Sequence, residues 1–180
     1  MNFYLTSLGC KLNQAEIDRL GREIEAHGHR LVETPAAADW AIVNSCTVTH
    51  VAARKSRQLI RQLHRANPRL RVAITGCYAT MSPDEAAALE GVALLLSNQE
   101  KDQAVERILS LDDPTYPFAP VARPAHGPQV GHTRAFVKIQ DGCENHCTYC
   151  IVSLARGPQR SRLPEDVLQE VGARLADGYR

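Results

Sequence analysis

Four short apolar runs punctuate the first hundred residues: "FYLTSLG" at 3–9, "WAIVNS" at 40–45, "RVAITG" at 71–76 and "VALLLS" at 92–97. Their near-continuous apolar character, clearest in "WAIVNS", is the pattern of strands covered on both faces. Between and after them the chain predicts helices over about 13–27, 50–66, 82–90 and 99–110, the first ended by Gly28. In the second helix Ala52, Leu59, Ile60 and Leu63 can face a sheet. The third opens on "SPDE", with Ser82 as N-cap, Pro83 in the first helical position and Glu85 completing a capping box. Strand and helix in alternation predict an α/β fold with a parallel sheet and right-handed crossovers.

The texture changes at residue 112. "DDPTYPFAPVARPAHGPQVGH", residues 112–132, holds five prolines and two glycines, too many for a packed element, and is expected to be a linker. A further strand is expected over "TRAFVKIQ", 133–140, and a helix from about Pro164 to Gly178. Val167, Leu168, Val171 and Leu175 fall on one face of that helix. The expected division is thus 1–111, a linker at 112–132, and a second unit at 133–180.

Composition narrows the function classes. With 180 residues, 44% of them apolar, the chain can bury a real core. A formal charge of +1 excludes a wholly polybasic binder. No run of 18 apolar residues and no basic-then-apolar leader is present, so the expectation is a cytoplasmic protein without a membrane span. Six cysteines in that setting point to metal or redox chemistry rather than to a disulfide framework.

The cysteines fall into two sets of three. Cys143, Cys147 and Cys150, spaced C-x3-C-x2-C, share one loop and can converge on a small volume. Three thiolates around a [4Fe–4S] cluster leave one iron open to chelate a substrate. The alternative is a zinc knuckle completed by His146 or a distant histidine. Cys10, Cys46 and Cys77 each follow an expected strand, in "SLGC", "VNSC" and "ITGC". Strand ends of a parallel sheet open on one edge, so these three can meet there and hold a second cluster. The bland alternative is three separate buried cysteines.

"LGCKLNQAE", "IVNSCTVT", "TGCYA" and "KIQDGCENHCTYCIVSLARG" together resemble the radical S-adenosylmethionine (SAM) methylthiotransferases over essentially the whole chain. Lys11, Asn13 and Glu16, with "SCTVTHVAARKSR" at 45–57, are most similar to the branch acting on threonylcarbamoyladenosine beside the tRNA anticodon. The resemblance implies a flavodoxin-like sheet domain followed by the first βα unit of a radical-SAM barrel, incomplete here and not expected to turn over alone. It also implies two [4Fe–4S] clusters and SAM, with tRNA and an electron donor as partners and neither DNA nor membrane. On that basis Cys10, Cys46 and Cys77 hold an auxiliary cluster whose open iron binds the sulfur to be donated. Cys143, Cys147 and Cys150 hold the cluster that cleaves SAM to a 5′-deoxyadenosyl radical, and Tyr149 lies near the adenine. Two other acceptors stay open, isopentenyladenosine in tRNA and a ribosomal-protein aspartate, as does a non-catalytic iron–sulfur or zinc module.

Charge is locally lopsided. Between Asp39 and Asp84 there is no carboxylate, yet the stretch carries seven Lys or Arg. Arg54, Arg57, Arg61 and Arg65 recur as one stripe along the second helix, directly after Cys46, and are candidates for RNA phosphate contacts. The alternative is an ordinary solvated face. Arg156, Arg160 and Arg162 form a smaller basic group, and Asp141 is expected to be structural.

Overall fold

The computed structural model describes residues 1–119 and 134–179. A five-stranded, wholly parallel sheet is built from β1 (Asn2–Ser7), β2 (Arg30–Leu31), β3 (Trp40–Ser45), β4 (Arg71–Gly76) and β5 (Val92–Leu95) in the order β2-β1-β3-β4-β5. That is the flavodoxin-like order, and it reverses direction between β1 and β3. Two of the strands, β3 and β4, coincide with the expected runs, and β2 is an addition.

The helices of this part are α1 (Lys11–Ala26), α2 (His50–Ala66), α3 (Cys77–Met81), α4 (Pro83–Ala87) and α5 (Ala104–Asp112). Alternation along β3 shows why both faces must be covered. Trp40 and Ile42 enter one core with Phe3, Leu20, Ile24 and Ile108, which draws in α1 and α5. Ala41 and Val43 enter the other with Ile60, Leu63, Ile74 and Tyr78, which draws in α2 and α3. Thr49 caps α2 by accepting the Ala52 N–H at 3.1 Å. Ser82 precedes α4 at φ −139° and ψ 60° but makes no side-chain cap bond, so the expected capping box does not form. Glu85 turns instead to Arg57, at 3.1 Å.

Asp112, the first residue of the expected linker, is the last of α5 and accepts the Trp40 indole N–H at 2.9 Å. Tyr116 and Phe118 then pack on the core, with Phe118 stacked on His27 at 4.6 Å. The remainder of the expected linker, residues 120–132, lies outside the described residues, as does Thr133.

Beyond it stand β6 (Gln140–Asp141), α6 (Val152–Arg156), β7 (Arg160–Ser161) and α7 (Pro164–Ala176). The strand expected over 133–140 is a correction: residues 134–139 are irregular, and only Gln140 and Asp141 pair, antiparallel to β7. A strand persists only where a neighbour takes up its ladder. Here only a two-residue neighbour does so, and among the described residues the barrel's first βα unit is not seen. Phe136 and Val137 are half-buried, while Ile139, Leu168, Val171 and Leu175 are exposed. Among the described residues no helix is long and apolar enough to cross a membrane.

Candidate metal centre

The carboxyl ends of three adjacent strands supply the first cysteine set. Cys10 follows β1 as the N-cap residue of α1, Cys46 follows β3, and Cys77 opens α3 directly after β4. Cys10 and Cys46 flank the point where the strand order reverses, the usual ligand crevice of such a sheet. Cys46 and Cys77 are buried and Cys10 is exposed.

Local contacts hold these loops together. Gly9, at φ +101°, lies so close to Cys46 that an added Cβ would stand 2.6 Å from its Sγ, so only glycine allows this approach. Asn13 donates to the Leu8 carbonyl at 2.7 Å and to the Ser45 carbonyl at 3.2 Å, fastening the Cys10 loop to the Cys46 loop. The Ser56 hydroxyl accepts the Cys46 N–H at 3.2 Å and donates to its carbonyl at 3.0 Å. The Asn98 amide donates toward Cys77 Sγ at 3.6 Å, and Cys10 Sγ lies 3.5 Å from Asn13 Oδ1.

Burial pushes the Cys77 thiol up; Arg156 opposes that, while Cys46 and Cys10 add to it. Among the described residues no three His, Cys, Asp or Glu side chains converge as around a single ion. Thiolates on one zinc lie about 3.8 Å apart, whereas a cubane cluster holds its ligands wider. A thiol set at a ligand crevice, with a glycine approach at Cys46 and the Asn98 amide aimed at Cys77 Sγ, is a donor set of the kind a cluster takes.

The second set is more open. Cys143 is half-buried and tied by its N–H to the Gly157 carbonyl at 3.1 Å, and the Cys150 N–H bonds the Cys147 carbonyl at 3.1 Å. Gly142, at φ +71°, turns the chain into this loop; a Cβ there would lie 2.1 Å from the Pro158 carbonyl oxygen. Tyr149 is 91% exposed. The structure places the two cysteine sets on neighbouring surfaces through α6, which follows Cys150. Its Ala155 carbonyl accepts from Asn98 at 2.6 Å, and Arg156 bonds Asn13 Oδ1 at 2.5 Å.

Arg156 belongs to a buried ion network that sequence reasoning missed. Glu16 Oε1 accepts from Lys101 at 2.5 Å, Lys138 at 2.9 Å and Arg156 at 3.0 Å, and its other oxygen accepts from Asn44 at 2.9 Å. Asp141 accepts from the same three cations at 2.6, 2.8 and 2.8 Å. Burial alone would raise the Glu16 carboxyl, but Lys101, Arg156 and Lys138 outweigh it and hold it down at about 2. Burial also works against ionised Asp141, yet the same cations keep it well below the usual range. Burial depresses Lys101 in spite of Glu16, and Lys138 depresses it further. The expected basic group of Arg156, Arg160 and Arg162 is thus corrected: Arg156 is buried and Arg162 pairs with Glu170. Arg160 stays more open, 3.6 Å from Asp141. The one legible signal for Asn98 and Lys101 was their position just past a strand end.

The arginine stripe is only partly free. Arg54, Arg61 and Arg65 are exposed on α2 and line a shallow groove of about 410 Å³ with Arg57, Gln58 and Gln62. Arg57 is committed to Glu85 and lies over the Tyr78 ring at 5.9 Å.

Residues 2–97 match the family model described as "Uncharacterized protein family UPF0004". The chain is 36% identical over 179 residues to the threonylcarbamoyladenosine tRNA methylthiotransferase MtaB of Chlamydia pneumoniae, covering 99% of this chain and 41% of that protein. It is 34% identical over 186 residues to the MtaB of Bacillus subtilis (97% and 41% covered). Against the tRNA-2-methylthio-N(6)-dimethylallyladenosine synthase of Desulfosudis oleivorans it is 30% identical over 198 residues (99% and 41% covered). The chain spans about two fifths of the length of these relatives. With more than half of its residues inside the matched model, the chain belongs to the UPF0004 family.

Proposed function

We propose that the chain supplies the cluster-bearing part of a cytoplasmic tRNA methylthiotransferase that modifies threonylcarbamoyladenosine at position 37. The reading rests on one observation above all: Cys10, Cys46 and Cys77 stand at the carboxyl ends of adjacent strands, and α6, which follows Cys150, is bonded to that same edge through Ala155 and Arg156. In this reading Cys10, Cys46 and Cys77 hold an auxiliary [4Fe–4S] cluster, and Cys143, Cys147 and Cys150 hold the cluster that binds SAM near Tyr149. Bound there, the clusters and SAM would supply radical initiation and the sulfur to be transferred.

The protein's own part is positional. Asn13 and Ser56 fix the loops of Cys10 and Cys46, Asn98 joins Cys77 to α6, and Gly142 sets the approach to Cys143. Residues 1–111 would form the auxiliary-cluster domain, 112–132 the linker, and 133–180 the start of the SAM domain. Exposed Arg54, Arg61 and Arg65 would meet RNA phosphates, and an electron donor would complete the system. The similarity to dimethylallyladenosine synthases supports a second acceptor, the dimethylallylated adenosine.

Anaerobic reconstitution tests the cofactor reading, with about eight irons per chain and a SAM-dependent spectral change expected; one or two zincs and no iron would overturn it. Nucleoside mass spectrometry of tRNA from a strain lacking the full-length gene decides between the two acceptors.

A further inference from the structure

The buried network carries more positive than negative charge. Glu16 and Asp141 face Lys101, Lys138 and Arg156, and Arg160 adds a fourth cation at the rim. A buried ion lacking a counter-charge costs several kcal/mol, so a surplus cation needs an anion nearby.

The surplus points at the first cysteine set. Arg156 is 3% exposed, and its Nη2 lies 2.5 Å from Asn13 Oδ1, the oxygen that Cys10 Sγ also approaches, at 3.5 Å. One residue earlier, the Ala155 carbonyl holds Asn98, whose same amide nitrogen reaches Cys77 Sγ. Neutral thiols leave the network with three cations against two carboxylates. Thiolates that carry a metal cluster do not, because ligation requires the deprotonated sulfur.

We propose that the anionic site formed by loaded Cys10, Cys46 and Cys77 is the counter-charge that this network lacks, reached through Arg156, so that filling the first cysteine set locks the second set's segment onto the sheet edge. The proposal rests on the cluster reading above and assigns Arg156 as a positioning residue between the two centres. Such coupling is reciprocal: docking of α6 also favours loading of the first set.

The test uses the full chain with Cys143, Cys147 and Cys150 replaced by Ala, so that only the first set can load. Hydrogen exchange is compared before and after anaerobic reconstitution with iron and sulfide, at the amides of Cys143→Ala, Ala155 and Gly157, which are bonded to Gly157, Ile151 and Ser153. Exchange is expected to slow by about tenfold or more on loading, inside the roughly 5- to 150-fold range usual for coupling between sites. Adding Arg156→Gln removes the slowing while iron stays at about four per chain; Arg156→Lys, which keeps the charge, retains part of it. Unchanged exchange with about four irons bound and Arg156 intact overturns the proposal and leaves the cluster reading standing. Absence of iron overturns that reading, and the proposal with it.

Discussion

Glu16→Gln removes one negative charge from the buried network with almost no change of volume. Glu16 is 3% exposed and accepts from Lys101, Lys138, Arg156 and Asn44. Its carboxyl falls from an ordinary 4.5 to about 2, a difference worth about 3 kcal/mol at about 1.4 kcal/mol per pH unit. Because the folded value lies below the unfolded one, this stability is fully present above about pH 4.5 and is lost as pH falls toward 2. The variant leaves Asp141 alone against three buried cations, and breaking such a set costs about 3–5 kcal/mol.

Urea unfolding of wild type and variant reads this directly. Fluorescence of Trp40, the single tryptophan, follows the sheet, and circular dichroism follows the helices. With a urea slope of about 2 kcal/mol per molar, a loss of 3–5 kcal/mol moves the midpoint down by about 1.5–2.5 M at pH 7. Between pH 5 and 2 the variant's midpoint should fall less steeply than the wild type's, since the group that titrates there is gone. Equal midpoints at pH 7 by both probes, together with equal acid slopes, would refute the assignment of Glu16 as the hub of the network.

Two further outcomes test the candidate sites. Gly142→Ala forces a Cβ against the Pro158 and Gly157 carbonyls at φ +71°, so iron after reconstitution should drop from about eight to about four per chain as the second cysteine set is lost. Joint replacement of Arg54, Arg57, Arg61 and Arg65 by Gln in the full-length protein should flatten the salt dependence of tRNA binding. Because Arg57 is held by Glu85, the log–log slope should change by about two to three rather than four; an unchanged slope in a filter-binding titration reduces the stripe to a solvated face.

Much of the sheet was legible because its signal is local. β3 and β4 sit where continuous apolar runs lie between polar ends, and α2 spans His50–Ala66 as its periodicity predicts. The two residues of β2, both exposed, are too few to show any period. Ser82 and Glu85 had the right spacing for a capping box, but Arg57 competes for the glutamate. The cysteine placements were readable since Cys46 and Cys77 follow their strands directly and Cys10 stands three residues past the end of β1. The ion network was not: Glu16 lies 85 residues from Lys101 and 140 from Arg156, and only folding brings them together. No periodicity encodes such a contact.

The same limit shows in α7, whose apolar stripe is plain in sequence but lies on the wrong side for the usual inference. The helix buries Glu170 and Arg174, while Leu168 and Leu175 stand 69% and 60% exposed. Glu170 is what holds it: one oxygen accepts from Arg22 at 3.3 Å and lies 3.7 Å from Arg174, and the other pairs with Arg162. Joint Leu168→Glu and Leu175→Glu substitution changes side chains that are already mostly in water, so it should shift stability by no more than about 0.5 kcal/mol per site. Glu170→Ala removes the carboxylate that Arg22, Arg162 and Arg174 share and should cost about 3–5 kcal/mol of docking. Hydrogen exchange along residues 164–176 separates the two, because an opening cost of that size raises exchange more than a hundredfold. A leucine pair that proves costlier than the glutamate would mean that α7 packs through its apolar face in solution.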